Sequence, residues 1–259
     1  MTLRGTYGYE ACSYTGSEGF VWSAGTDWLA ATLAGGNTLH GWAAGHEHVV
    51  SFAGRGTVHA VPAPVLGPDR RDNWVVRHYR RGGAVARYLD DRYLAAGDSR
   101  PIRELKACVE ARKRGVPTPA VVAGATYSAG MFYRADLATE LIPDAESLRD
   151  LLFGNSDSQV DVERALHIAG KVVRKLEDTC VLHPDVNAGN ILLRVHLAET
   201  EAHVIDLDRC NIVTQAAPGP HHFMRERLER SLRGLADRHA VELPDGCWRA
   251  LRDGFGESS

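Results

Sequence analysis

The chain has 259 residues, of which 44% are hydrophobic and 24% charged, proportions that are ordinary for a globular protein with a substantial core. The net charge of −3 gives no electrostatic argument for nucleic-acid binding, and five scattered cysteines without a Cys-x-x-Cys pair argue against a disulfide framework or a zinc site. Because no apolar run approaches the ~18 residues that a membrane span needs, we expect a cytoplasmic protein of a reducing compartment, with no nucleic-acid partner.

The first 45 residues are rich in glycine and aromatic residues but contain no motif with a readable function. We predict that they form an N-terminal extension. Trp22, Trp28 and Trp42 are interpreted as packing residues, because large aromatic side chains contribute most to cores, and a position at a membrane interface is the alternative.

Residues 49–61 have the pattern of a strand, a Gly-x-Gly turn and a second strand. Glycines in such a turn allow backbone N–H groups to approach phosphates. Gly54 and Gly56 are therefore predicted to bind a nucleotide. A third glycine of the usual kinase loop is missing, so an ordinary hairpin turn is the alternative.

Residues 74–79 alternate between apolar and polar side chains, which predicts a β-strand. A kinase has a phosphate-binding lysine in the corresponding strand, but no lysine precedes Lys106. Arg77 keeps the positive charge and offers several donors, so we predict that it contacts the phosphates. The alternative is a surface arginine.

Basic and aromatic residues are interleaved around a Gly-Gly pair in residues 80–93. This pattern fits two interpretations equally. It is typical of a solvated loop, and it also suits contact with an anionic acceptor or a phospholipid surface.

Apolar residues at helical spacing predict a helix over residues 100–114. If the chain is a kinase, Glu104 on this helix would form an ion pair with Arg77. An exposed helical glutamate is the alternative.

Two strands are predicted next, over residues 120–125 and 132–141. The chain then passes through a Glu-Leu-Ile-Pro segment that would connect two lobes. Glu140 and Ile142 are predicted to meet the adenine through their backbone.

An amphipathic helix over residues 161–179 leads into the sequence His-Pro-Asp-Val-Asn-Ala-Gly-Asn at residues 183–190. Transfer of a phosphoryl group needs a carboxylate to orient the attacking hydroxyl and oxygen ligands for Mg²⁺. The spacing predicts that Asp185 is the base and that Asn190 is a metal ligand. Asp206, which follows a second apolar strand, is the other predicted metal ligand. A simple turn is the alternative for the loop alone.

Only one further helix, over residues 221–239, is predicted after these motifs, and no Ala-Pro-Glu segment is present. Protein kinases carry that segment in the region that seats a peptide. We therefore expect a small or lipid-linked hydroxyl as acceptor. The predicted fold is α+β and protein-kinase-like, a single two-lobed domain over residues 1–259 with a β-rich N-lobe (about 46–141) and an abbreviated helical C-lobe (about 142–259).

Four segments of the chain resemble the bacterial 3-deoxy-D-manno-octulosonic acid (Kdo) kinases of the Kdo/heptose lipopolysaccharide kinase family. Their sequences are Arg-His-Tyr-Arg-Arg-Gly-Gly, Phe-Tyr-Arg-Ala-Asp-Leu, the eight-residue loop with its Ile-Leu extension, and Ile-Asp-Leu-Asp-Arg-Cys, at residues 77–83, 132–137, 183–192 and 205–210. The segments follow the family's order. An arginine at the position of Arg77 is usual in that family.

The resemblance implies that ATP and Mg²⁺ are used to phosphorylate the 4-hydroxyl of Kdo on a lipid A precursor. It also implies a peripheral position on the cytoplasmic face of the bacterial inner membrane. The sequence departs from the family at Gly189, where a bulkier residue, often histidine, is expected. That departure concerns the identity of the acceptor more than the chemistry.

Other functions fit parts of the sequence. A heptose kinase or an aminoglycoside-type phosphotransferase would share the catalytic loop, although the segment at residues 77–83 speaks against the latter. A pseudokinase that binds nucleotide without catalysis would explain the incomplete glycine loop, but it would not need Asp185, Asn190 and Asp206. A purely structural or membrane-adaptor protein would make the presence of these three side chains accidental.

Overall fold

A computed structural model describes residues 8–52, 56–81, 90–154, 161–196, 199–213 and 222–257. The chain divides into two compact units. Unit 1 comprises residues 1–105 and 120–141, and unit 2 comprises residues 106–119 and 142–259. Sheet and helices together give the mixed α+β fold that the sequence predicts.

The described residues of unit 1 form an eight-stranded antiparallel sheet. Along the main path the strand order is β1-β2-β7-β8-β5-β4-β3, and β6 pairs with β8. The strands are β1 Tyr9–Tyr14, β2 Ser17–Trp22, β3 Val50–Phe52, β4 Val58–Pro62, β5 Asn73–His78, β6 Tyr93–Leu94, β7 Val121–Ala129 and β8 Phe132–Glu140. The predicted hairpin on either side of the Gly-x-Gly turn is present as β3 and β4.

The N-terminal segment is part of this sheet, whereas we expected it to be an extension. Strands β1 and β2 form a hairpin, and β2 pairs with β7. The hairpin was missed because β1 is mostly exposed and β2 has consecutive buried residues at 19–21, so neither strand alternates between apolar and polar side chains. The assignment of the whole chain to one kinase-like domain stays a prediction.

Helices α1 (Thr26–Ala34) and α2 (Leu39–Ala44) pack two of the three predicted tryptophans, Trp28 and Trp42, against the core of unit 1. The ring of Trp28 lies edge-on to Trp42 and to Trp74, with centroid distances of 4.9 and 5.0 Å. Edge-to-face aromatic pairs of this kind add to the stability gained from burial. The interpretation of Trp28 and Trp42 as packing residues is confirmed.

Helix α3 (Arg100–Lys113) matches the helix predicted over residues 100–114. Its first turns belong to unit 1 and contain the buried Glu104. Its last turns belong to unit 2, where Ala107 and Ala111 join the core.

Unit 2 combines four helices in its described part with two small sheets. The helices are α4 Leu148–Phe153, α5 Val162–Asp178, α6 Phe223–His239 and α7 Asp245–Phe255. The strands are β9 Ala145–Ser147, β10 Val181–Leu182, β11 Ile191–His196, β12 Glu199–Val204 and β13 Asn211–Ile212, in the orders β12-β11-β9 and β10-β13. The β11–β12 hairpin is the one that the catalytic-loop motif predicts.

Close helix packing stabilises unit 2. A Cβ atom on Gly254 of α7 would lie 2.1 Å from the carbonyl oxygen of His167, and one on Gly170 of α5 would lie 2.4 Å from that of Leu251. The two helices can approach this closely only because both positions lack a side chain. Across the described ranges, no helix has the length and apolar character that crossing a membrane requires.

Candidate active site

The loop predicted to be catalytic follows β10 in unit 2 and is braced by His183, whose side chain is fully buried. Its Nδ1 accepts the backbone N–H of Asp185 at 3.2 Å, and its Nε2 lies 3.2 Å from the carbonyl oxygen of Ile205. Burial lowers the pKa of His183. A neutral ring that accepts at Nδ1 donates from Nε2. His183 therefore connects the catalytic loop to the end of β12.

Two asparagines fix the peptide of Asp185. Nδ2 of Asn187 donates to the Asp185 carbonyl oxygen at 2.7 Å, and Nδ2 of Asn190 donates to the same oxygen at 3.0 Å. Oδ1 of Asn187 also accepts the N–H of Gly189 at 2.9 Å, which caps the short 3-10 turn Ala188–Asn190. The loop is thus held by its own polar side chains.

The side chain of Asp185 is partly exposed, and its carboxylate accepts hydrogen bonds from two arginines of other elements of unit 2. Nη2 of Arg227 in α6 donates to Oδ1 at 2.9 Å, and Nη1 of Arg209 donates to Oδ2 at 3.2 Å. Sequence reasoning missed both arginines. Arg209 lies within the Ile-Asp-Leu-Asp-Arg-Cys segment, and its position three residues after Asp206 was the available signal.

Helix α6 packs along the catalytic loop through Met224, Arg227 and Ser231, which have the spacing i, i+3 and i+7. Sδ of Met224 accepts the N–H of His183 at 3.3 Å, and Oγ of Ser231 accepts the N–H of Ala188 at 3.2 Å. Arg227 lies between these two residues in sequence. The predicted apolar face of the helix includes Leu228 and Leu232, which are buried. The sequence therefore indicated the helix but not its contacts with the loop.

The two predicted metal ligands lie at the same end of the β11–β12 hairpin. The N–H of Ile205 donates to the carbonyl oxygen of Asn190 at 3.0 Å, and the register pairs Ile191 with Val204. Asp206 follows directly, in the left-handed region with φ 67° and ψ 53°. A residue other than glycine adopts this region at a cost, and such strain is concentrated at functional sites.

These residues fit a magnesium ion by their chemistry. The amide nitrogen of Asn190 is committed to the Asp185 carbonyl, so its Oδ1 is the atom left to coordinate a cation. An amide oxygen and the carboxylate of Asp206 are hard oxygen ligands, which Mg²⁺ prefers. Their roles as metal ligands stay predictions.

The residues predicted to contact phosphate in unit 1 form an ion pair. Nη2 of Arg77 in β5 lies 2.7 and 2.6 Å from the two carboxylate oxygens of Glu104, which also accepts the Tyr79 hydroxyl. The Arg77 guanidinium lies 4.6 Å from the Tyr79 ring centroid, at cation–π distance. The predicted contact between Arg77 and Glu104 is thus present, and the exposed-glutamate alternative is wrong because Glu104 is buried.

The buried side chain of Glu140 makes contacts that the sequence did not indicate. Its carboxylate accepts the backbone N–H groups of Asp69 and Arg71, and its own N–H donates to Ala120. Desolvation, with the nearby charge of Asp69, raises its pKa to about 7. The side chain therefore anchors a turn of unit 1. Whether its backbone meets a nucleotide stays a prediction.

The remaining predicted nucleotide residues are only partly described. Gly54 lies outside the described residues, as do residues 82–89 of the basic and aromatic segment. Gly56 is close to Arg80, whose Cδ would lie 3.0 Å from a Cβ at this position. Ile142 is buried in unit 2. Their nucleotide contacts stay predictions.

Comparison with known proteins identifies relatives over most of the chain. The model of the Lipopolysaccharide kinase (Kdo/WaaP) family matches residues 40–251. The 3-deoxy-D-manno-octulosonic acid kinase of Vibrio vulnificus strain YJ016 is 31% identical over 83% of this chain and 85% of its own length. That of Mannheimia succiniciproducens is 30% identical over 83% of this chain and 87% of its own length.

A solved structure described as WaaP in complex with acyl carrier protein has the same fold. It covers 88% of this chain and 86% of its own chain, with a TM-score of 0.50 and 16% sequence identity. The prediction of a kinase-like α+β fold is confirmed. The predicted enzyme class, a phosphotransferase with an alcohol group as acceptor, is likewise confirmed by the curated relatives. On these grounds the chain belongs to the Lipopolysaccharide kinase (Kdo/WaaP) family.

Proposed function

We propose that this kinase transfers a phosphoryl group from ATP to the 4-hydroxyl of Kdo on a lipid A precursor. The sugar is suggested by the curated relatives, which are 3-deoxy-D-manno-octulosonic acid kinases. The observation that best supports the proposed phosphoryl transfer is the hydrogen bond between the Asn190 side chain and the backbone of Asp185. Because the Asn190 side chain donates to the Asp185 carbonyl, the predicted base and a predicted metal ligand are held in one fixed loop.

In this proposal Asp185 orients the sugar hydroxyl and accepts its proton while the oxygen attacks the γ-phosphorus. Asn190 and Asp206 would hold Mg²⁺, which supplies positive charge against the phosphate oxygens. Arg77, positioned by Glu104, neutralises phosphate charge from unit 1. The leaving group is ADP, so the phosphoryl group moves from one oxygen to another and no oxidant is needed.

The acceptor's lipid would place the enzyme at the cytoplasmic face of the inner membrane. Exposed basic side chains support contact with anionic phospholipid, since such residues are attracted to a negative surface. Arg80 and Arg134 are each 48% exposed and lie near Asp90 and Asp91, and Met131, three residues before Arg134 in the sequence, is 74% exposed. An exposed apolar residue close in sequence to a basic one suits a peripheral membrane contact.

The proposal is tested by incubating the purified chain with Mg·ATP and Kdo-lipid A. Mass spectrometry should find one added phosphate, and NMR of the product should place it on the 4-oxygen. A parallel reaction would contain a heptose-bearing core oligosaccharide that lacks Kdo. Phosphate on the heptose acceptor alone, or on another Kdo hydroxyl, would contradict the proposed substrate.

A further inference from the structure

Two arginines from separate elements of unit 2 converge on the carboxylate of Asp185. Arg227 belongs to α6, and Arg209 ends the 3-10 turn Leu207–Arg209 that follows Asp206. The side chains of Asp185, Arg209 and Arg227 are 37%, 61% and 42% exposed. Within these three side chains, two positive charges face one negative charge.

Anchoring of the loop does not account for Arg227. The loop is already attached to α6 through Met224 and Ser231, which accept backbone N–H groups of His183 and Ala188. An ion pair this exposed contributes little to stability. A function in ligand binding therefore explains the convergence better than a structural one.

Both guanidinium groups have donors to spare. In the part of the chain that the structure describes, Arg227 donates to Asp185 through Nη2, and Arg209 donates through Nη1. Each guanidinium carries five N–H donors in a planar fork that matches a carboxylate. Each arginine can thus keep its contact with Asp185 and bind a second anion with its remaining N–H groups.

We propose that Arg227 and Arg209 form a binding site for a carboxylate on the acceptor sugar. This inference rests on the proposed function, in which the acceptor is an octulosonic acid. By bridging the acceptor carboxylate and Asp185, the arginines place the sugar with a hydroxyl beside the base. They select an acidic sugar over a neutral one and act as specificity-determining residues for the reaction.

The test compares an acidic acceptor with its neutral counterpart. Kdo-lipid A and its Kdo methyl ester are assayed with wild type, Arg227→Gln and Arg209→Gln. Arg238→Gln is the matched control because Arg238 is exposed in the same helix, about 16 Å further along the axis at 1.5 Å per residue. Calorimetry with free Kdo and its methyl ester measures binding without turnover.

Wild type and Arg238→Gln should show kcat/KM about 10- to 100-fold higher for the acid than for the ester, the range expected for charge-assisted hydrogen bonds. In Arg227→Gln this ratio should fall close to one through a higher KM for the acid, with KM for Mg·ATP unchanged. Arg209→Gln should reduce the ratio in the same direction.

A ratio that persists in Arg227→Gln would overturn the inference. A higher KM for Mg·ATP in its place would also do so, since the arginines would then serve the nucleotide. If wild type transfers no phosphate, calorimetry separates the two claims. If wild type binds free Kdo more tightly than its ester and Arg227→Gln does not, the carboxylate site is supported while the proposed function is refuted. If wild type binds Kdo and its ester with equal affinity, the carboxylate site is refuted.

Discussion

The carboxylate of Glu104 in α3 accepts two hydrogen bonds from Nη2 of Arg77 in β5, at 2.7 and 2.6 Å. Glu104 is almost fully buried, whereas the Arg77 side chain is 26% exposed. The glutamate therefore fixes the direction of an arginine that still reaches solvent. This arrangement suits a residue that positions positive charge for a phosphate.

Glu104→Gln should raise KM for ATP about tenfold, because loss of the carboxylate charge weakens the charge-assisted hydrogen bonds that orient Arg77. Steady-state kinetics with varied ATP measures the effect. Glu110→Gln, lower on the same helix, removes only the partly exposed pairs with Lys113 and Arg114 and no contact with Arg77, so its KM should match wild type. If the two variants have the same KM for ATP, Glu104 has no role in nucleotide binding.

Asp206→Asn should weaken binding of ATP in the presence of Mg²⁺ but leave binding in EDTA unchanged. The substitution keeps the shape of the side chain and removes the charge that a hard cation needs. Calorimetric titration with and without Mg²⁺ measures both affinities. Loss of affinity in EDTA as well would indicate that Asp206 maintains the loop and not the metal.

Gly254→Ala should lower the free energy of unfolding by about 1–3 kcal/mol, since a methyl group would be forced into the close contact between α7 and α5. Gly234→Ala in α6 is the control. The nearest atom to its new Cβ is the end of the flexible Arg238 side chain at 3.7 Å, so the higher helix propensity of alanine should leave stability unchanged or raised. Denaturant unfolding distinguishes these opposite outcomes.

The contribution of Glu140 to the stability of the protein should fall as pH rises from about 4.5 to about 7. Its pKa is raised to about 7 in the folded protein, so the folded state holds this proton over a range in which the unfolded chain has lost it. Glu140 thus makes its whole contribution to the free energy of unfolding at pH values below its ordinary pKa. That contribution is lost as the pH rises through its pKa in the folded protein.

Glu140→Gln mimics the protonated carboxyl and should remove this part of the pH dependence. The difference in unfolding free energy between wild type and variant, measured from pH 5 to pH 8, isolates Glu140 from histidines that titrate in the same range. The free energy of unfolding of the variant should increase relative to that of wild type as pH rises. A difference that does not change with pH would contradict the account.

The sequence could predict the elements whose periodicity or motif is strong. The catalytic hairpin, the Arg77 strand and helices α3, α5 and α6 fall into this group, because apolar spacing and fixed motifs are local signals. The Glu104–Arg77 contact followed from the kinase pattern. It could not be derived from spacing alone, since the two residues are 27 positions apart.

The remaining contacts depend on tertiary structure. Arg227 reaches Asp185 from 42 positions away, and no local pattern indicates which exposed arginine of α6 faces the loop. The backbone of Glu140 was predicted to meet the adenine, which stays a prediction, but the sequence did not indicate that its carboxylate accepts the N–H groups of Asp69 and Arg71. Burial of a single polar side chain leaves no trace in the sequence.

The role of Asp185 as the base is tested most directly by measuring turnover and nucleotide affinity together in Asp185→Asn. The exposed Asp178→Asn, which alters only a surface ion pair in α5, serves as the control. We expect kcat on Kdo-lipid A to fall by about 10²- to 10⁴-fold, the range for loss of a general base, while Kd for Mg·ATP and the control remain as in wild type. A parallel loss of ATP affinity, or wild-type turnover in Asp185→Asn, would contradict that role.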